Sequence, residues 1–233
     1  MTGIGPLTLL TKYQTPAAIR RIGLSRLAAW LRRRRVYKAE ALAQTAVDAS
    51  SRQHTTLPGE TLAAQLIATL AEQVLELIGQ VAQLDRQIAA RFAEHHQAKV
   101  ILSLPGMGSL LGAEFLAATG GDMAWFETPD RLAGVAGLAP APRDSGRVSG
   151  NHHRPQRFHR GLQRVFYMSA QSSIRGCEES RRFYERKRAE GKRHVQAVLA
   201  LARRRVNVLW ALLRDDRPYL PTPPTGAPPG AHP

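Results

Sequence analysis

The chain has 233 residues, 33 Lys and Arg against 18 Asp and Glu, a formal net charge of +15, and 43% hydrophobic residues. That apolar share can build a globular core and excludes a wholly disordered basic tail, while the length allows one domain or two small ones. The cations are 28 Arg and 5 Lys; a planar guanidinium fork matches phosphate geometry, so the excess points to nucleic acid.

A single cysteine, Cys177, excludes an internal disulfide and fits a reducing compartment. No uninterrupted apolar run approaches the roughly 18 residues that span a bilayer. The opening MTGIGPLTLLTKYQTP also lacks the basic lead of a signal peptide. No membrane is therefore expected as a partner, and the expected location is the cytoplasm. The charge is uneven. Residues 1–50 hold nine cations and two acids, 51–98 three and five, 99–140 two and four, and 141–217 nineteen and seven. Two basic blocks thus flank a mildly acidic middle, which suits structural work in the middle and a polyanion at the flanks.

In chain order, Thr15-Pro16 predicts a helix start, a capping hydroxyl followed by the proline favoured at the first helical position. The helix should break near Gly23 and restart at Ser25, with Leu27, Trp30 and Leu31 on one side and Arg32 to Arg35 at its end. That run can be a solvated helix end or a phosphate contact.

Residues 61–95 form the clearest periodic element. Ile67, Val74, Val81 and Ile88 fall at one heptad core position, and Ala63, Leu70, Leu77 and Leu84 at the other. β-Branched residues at the first position with Leu at the second are preferred by parallel two-stranded coiled coils, so homodimerisation is expected here. The competing reading is an intramolecular hairpin, because about four heptads is short and Gly79 weakens the middle.

After His95-His96, the stretch KVILSLPGMGSLLGAEFLAATGG runs through Pro105-Gly106-Met107-Gly108 into a helix near Ser109. It resembles a helix-hairpin-helix turn, in which backbone N–H groups around Gly106 and Gly108 hold a phosphate. A tight turn between packed helices needs the same glycines for steric reasons. Thr128-Pro129-Asp130 predicts another capped helix, PDRLAGVAG. Residues 138–160 then combine three prolines, two Ser-Gly pairs and five arginines. This reads as a basic, irregular or short-stranded loop too long for a simple connector; such loops carry function or are disordered, and the fixed-geometry residues favour function. The remainder reads as three helices. In the last, Val195, Val198, Ala202, Val206, Leu209 and Leu213 should face a core, with Arg203, Arg204 and Arg205 reaching outward. The tail from Arg217 holds seven of the fifteen prolines and is expected to be disordered.

Candidate chemistry is sparse. Ser145 or Ser149, each followed by glycine and surrounded by arginines, could attack a phosphodiester while guanidinium groups hold the phosphate. Ser-Gly in a basic loop also serves turns and phosphate hydrogen bonds. His152, His153 and His159 lack a metal-ligand spacing, and the scattered acids Glu114, Asp122, Glu127, Asp130 and Asp144 do not suggest a two-metal site, so no metal is expected in this chain.

LPGMGSLLGAEFLAATGG, then FETPDRLAGVAGLAPAPRDSGRVSGNHHRPQRFHRGLQRVFYMSA, then YERKRAEGKRHVQAVLALARRRVNVLWALLR together resemble the C-terminal transposase domain of the insertion-sequence 110 family, the Piv/MooV-like DEDD transposases. Residues 1–97 resemble the family's middle region. The resemblance implies a nucleophilic serine at Ser145 in PRDSG, with Ser149 as runner-up, a coiled coil that joins protomers, and a structured guide RNA beside DNA. It also implies an N-terminal RuvC-like domain carrying four metal-binding acids. No stretch here reads as that domain. The chain is therefore expected to be the C-terminal part of a transposase, truncated or split, inactive by itself in strand cleavage, with magnesium bound only where the RuvC-like domain is present.

The expected architecture is mainly α: a basic helical region at 1–60, a coiled-coil helix at 61–97, a transposase domain at 98–216, and a tail at 217–233. Nucleic acid is expected on Arg143, Arg147, Arg154, Arg157, Arg160, Arg164, Gly106 and Gly108, and more broadly on 143–164 and 181–205. A non-catalytic binding module and a helix-hairpin-helix accessory protein remain as alternatives.

Overall fold

A computed structural model describes residues 3–53, 55, 58–139, 141–142, 152–153 and 157–221. These are mainly helical, with eleven helices and one pair of two-residue strands among the described residues. The chain divides into two compact units, Met1–Leu84 and Asp85–Pro233, whose boundary falls within the long helix α5.

The first unit holds α1 (Ile4–Leu10), α2 (Pro16–Ile22), α3 (Leu24–Arg33), α4 (Ala39–Ser51) and most of α5 (Glu60–Ala93). Thr15 caps α2 as its spacing predicts: its hydroxyl accepts from Ala18 N at 3.2 Å, with Pro16 at the first helical position. Gly23, at φ 75°, ends α2 and begins α3, a backbone angle that a side chain would strain. Leu27 and Leu31 are fully buried and join Leu9, Tyr13, Ala39 and Ala43 in a small core. Trp30 packs edge-on to Tyr13 at 5.1 Å, and the Arg34 guanidinium lies 3.8 Å from the Trp30 ring centroid. Arg32 pairs with Glu40 at 3.3 Å. The arginine run is thus partly committed to its own surface.

The heptad helix runs longer than any other, 34 residues, and its core-position residues are exposed. Its best 18-residue window has a mean hydropathy of 1.4, and it is the one helix among the described residues long and apolar enough to cross a membrane. That test is one of length and composition, and Glu72 and Glu76 still interrupt the apolar run. The apolar residues repeat at heptad spacing with Gln and Glu between them.

The second unit holds the end of α5, then α6 (Ala98–Ser103), α7 (Ser109–Thr119), α8 (Pro129–Val135), β1 (Ala141–Pro142), β2 (His152–His153), α9 (Arg160–Gly176), α10 (Glu178–Ala189) and α11 (His194–Arg214). Its core gathers Phe92, Ile101, Leu104, Phe115, Leu132, Leu162, Phe166, Val198, Val206 and Leu209, all below a tenth exposed, with Phe115 and Phe166 edge-to-face at 5.9 Å. Thr128 caps α8, its hydroxyl accepting from Arg131 N at 3.2 Å.

Two details of α11 differ from expectation. Val195 is 53% exposed, although Ala197 in the same first turn is fully buried. Arg205 does not reach outward. It is 4% exposed and donates to Ser169 Oγ at 3.1 and 2.8 Å and to the Pro105 carbonyl. Ala202 and Leu209 stand three residues before it and four after it, so helical geometry carries Arg205 inward with them.

Candidate nucleic-acid interface

The basic, serine-bearing loop joins α8 to α9, and its two ends are fixed by packing. Gly137, at φ 65°, lets Phe158 lie against it; a Cβ there would stand 2.5 Å from Phe158 Cγ. His159 N donates to the Val135 carbonyl at 2.7 Å, and Gln163 Nε2 donates to the Gly137 carbonyl at 3.2 Å. His159 also caps α9, its Nδ1 accepting from Leu162 N at 3.1 Å. Beyond these contacts β1 and β2 pair antiparallel, Ala141 with His153 and Pro142 with His152. The sequence offered no period-two signal for this stem, since each strand is two residues long and one contains proline.

Ser145, Ser149, Arg143, Arg147 and Arg154 lie outside the described residues, and the stem brackets residues 143–151 of that segment. Of the predicted contacts that are described, Arg157 and Arg160 are exposed at the start of α9. Arg164 is also exposed, but it forms a two-pronged pair with Glu114 of α7, Nε to Oε1 at 3.1 Å and a terminal nitrogen to Oε2. Such a two-pronged guanidinium–carboxylate pair fixes Arg164 against α7.

The PGMG turn between α6 and α7 assigns its two glycines different work. Gly106, at φ 79°, seats the turn on α9: a Cβ there would fall 2.5 Å from the Ser169 carbonyl oxygen and 2.8 Å from Ser173 N. Close approach explains this glycine. Arg205 ties the same turn down through the Pro105 carbonyl. Burial pulls its pKa down to about 10, still far above neutrality, so the guanidinium keeps its charge in the core. Gly108 caps α7 with no side-chain hydrogen bond and has open space where a Cβ would be. The first N–H groups of α7 follow it, and such groups have no partners within their own helix.

On α10 and α11 acids engage several cations. Arg182 meets Glu178 at 3.0 Å, Lys187 meets Glu190 at 2.7 Å, and Arg203 pairs with Asp130. Nineteen cations against seven acids over residues 141–217 still leave an excess of twelve, so pairing cannot neutralise this region. Among the described residues no three His, Cys, Asp or Glu side chains come together in a way that could hold a metal ion.

Residues 98–185 match the family model described as the transposase IS116/IS110/IS902 family. The chain is 57% identical over 221 residues to the insertion element IS900 uncharacterized 42 kDa protein of Mycobacterium paratuberculosis, covering 95% of this chain and 55% of that protein. It is 51% identical over 220 residues to the insertion element IS116 uncharacterized 44.8 kDa protein of Streptomyces clavuligerus, covering 94% and 55%. A third relative, the insertion element IS110 uncharacterized 43.6 kDa protein of Streptomyces coelicolor, is 36% identical over 218 residues, covering 94% and 54%. The chain spans about half the length of the curated relatives it matches.

Proposed function

Through residues 98–185 and its curated relatives the chain belongs to the IS116/IS110/IS902 transposase family, and from that premise we propose that it acts in DNA transposition. In this reading the second unit holds DNA together with a structured guide RNA and presents Ser145 as the nucleophile for strand cleavage and transfer. The observation that carries it is the anchored base of the 138–159 loop: packing, two cross-loop hydrogen bonds and the β1–β2 stem hold the ends of an arginine-rich, serine-bearing segment.

The chemistry is a transesterification. Ser145 Oγ forms a bond to phosphorus, the bond from phosphorus to one sugar oxygen breaks, and the serine proton ends on the departing oxygen. Arg143, Arg147, Arg154, Arg157, Arg160 and, released from Glu114, Arg164 neutralise the phosphate as charge develops. Gly108 and the start of α7 offer backbone N–H groups to a neighbouring phosphate. Magnesium is expected only with an acid-bearing RuvC-like domain.

Protomers pair through the seam at residues 61–95. Leu77, Val81 and Leu84 support this, each more than half exposed along one line of α5.

Binding dominated by phosphate contacts releases counterions. If about six cations engage, log affinity for a DNA duplex should fall against log salt with a slope of about −5. Titration of the chain against labelled DNA at several salt concentrations measures the slope. Affinity that does not change with salt contradicts the reading.

A further inference from the structure

The turn between α3 and α4 gathers cations that the proposed function does not use. Residues 32–40 hold Arg32, Arg33, Arg34, Arg35 and Lys38 against one acid, Glu40, which pairs with Arg32 at 3.3 Å. The other acid of residues 1–50 is Asp48, further along α4, where it accepts from Gln44 Nε2 at 2.8 Å. Among the described residues no carboxylate pairs with Arg33, Arg34, Arg35 or Lys38, and all four are exposed. Arg34 lies over the Trp30 ring, which leaves its charge in place. The positive excess of this turn therefore survives pairing.

Two of these cations stand where a side chain is least at ease. α3 closes with Arg35 N donating to the Arg32 carbonyl at 2.8 Å and Val36 N to the Leu31 carbonyl at 3.2 Å. The left-handed position of that pattern is usually glycine. Here Arg35 occupies it, at φ 56°. Lys38 begins α4 at φ 55°, also left-handed, and its carbonyl accepts from Leu42 N at 3.0 Å. Asp216 is the one other non-glycine residue with positive φ among the described residues. Glycine or asparagine would relax both positions, so backbone strain persists where it fixes two charges on one turn. The turn borders an open cleft of about 580 Å³, lined by Arg34, Arg35, Tyr37, Lys38 and Thr45 together with the start of α1. A Cβ on Gly5 would stand 2.9 Å from Val36 Cγ1, so α1 lies directly against the turn. Among the described residues no acid lines this cleft.

We infer that the cleft is a phosphate-backbone site, through which the first unit also binds nucleic acid. Guanidinium forks match pairs of phosphate oxygens, and Lys38 adds a point charge beside them. Cations around an open cleft that holds no carboxylate select a polyanion, and contacts of this kind position a strand without reading its sequence. The inference rests on the transposase reading above for the identity of that polyanion, and it adds a contact outside residues 98–185.

The test uses the full chain with a fluorescein-labelled DNA duplex and an RNA strand of equal length, each titrated at several salt concentrations. Asparagine tolerates the left-handed region, so Arg35→Asn with Lys38→Asn removes both charges without adding strain. In that variant the slope of log affinity against log salt should become shallower by about 2, and Kd near about 0.1 M salt should rise at least about 10-fold. Exchanging the charges, Arg35→Lys with Lys38→Arg, should keep the parent's slope. So should Arg52→Gln with Arg86→Gln, which removes two exposed cations away from the cleft. All three variants should keep the parent's helical circular dichroism. In the parent, bound nucleic acid should shield Lys38 from acetic anhydride while Lys12, exposed and outside the cleft, stays reactive. A slope change with the duplex alone or the RNA alone supports the inference and names the strand that occupies the cleft. The parent's slope and Kd in the double asparagine variant on both probes overturn it, as does an equal loss in the Arg52 and Arg86 variant. Lys38 that reacts equally with and without nucleic acid overturns it whether or not a variant folds. In those cases salt-dependent binding by the parent leaves the reading of the second unit standing. If the parent binds neither probe, both fall.

Discussion

Helices α5 and α11 carry apolar stripes of similar spacing and use them in different ways. On α11, Val198, Ala202, Val206 and Leu209 are fully buried inside the second unit. On α5, Leu77, Val81 and Leu84 are 57%, 56% and 55% exposed. A periodic stripe thus establishes that a helix has a face to bury, but the partner can be in the same chain or in another. The other clue is what lies between the apolar positions. The α11 stripe admits a buried charge, Arg205, whose hydrogen bonds to Ser169 and Pro105 exist only within this fold. The core positions of α5 from 63 to 88 hold only Ala, Val, Ile and Leu, a seam that needs no particular polar partner.

The largest effect should come from putting a charge into the α11 stripe. Leu209→Asp buries an unpaired carboxylate and should destabilise the second unit by more than about 4 kcal/mol, read by urea denaturation. Stability close to that of the parent would mean that the stripe is not a core.

Arg205→Ala comes next. It leaves the buried Ser169 hydroxyl and the part-buried Pro105 carbonyl without their donor, at a cost of about 3 kcal/mol. It should also loosen the PGMG turn, seen as faster amide hydrogen exchange at Met107 and Gly108. A neutral effect would mean that the guanidinium is dispensable to the turn.

The smallest change in folding stability should accompany the largest change in assembly. Leu77→Lys with Leu84→Lys alters two exposed side chains of α5, so the stability of each unit should shift by less than about 1 kcal/mol. Sedimentation should show the homodimer replaced by a monomer. A dimer that survives both substitutions puts the partner of α5 elsewhere, and a monomeric parent removes the premise.

Much of this comparison could be read from the sequence, and the gaps have physical causes. The caps at Thr15-Pro16 and Thr128-Pro129 are local, so they were visible and lie where expected. The heptads of α5 likewise fix a helix by themselves. Arg205 was misplaced because it sits in a run of three arginines, where composition suggests solvent, although its spacing from Ala202 and Leu209 pointed inward. The β1–β2 stem is set by what its ends pack against, Gly137 on Phe158 and Val135 on His159, which are contacts between residues far apart in the sequence. Gly106 and Gly108 look alike in LPGMG, and only the approach of α9 separates a packing glycine from an open one.

The central claim is that the arginine-rich loop delivers a serine to a DNA phosphate. The direct measurement is covalent trapping: the chain is incubated with cognate DNA and a RuvC-like domain of the family, denatured, digested and read by mass spectrometry for a nucleotide on serine. The account predicts an adduct on Ser145 that disappears in Ser145→Ala and persists in Ser149→Ala. An adduct undiminished in Ser145→Ala would contradict it.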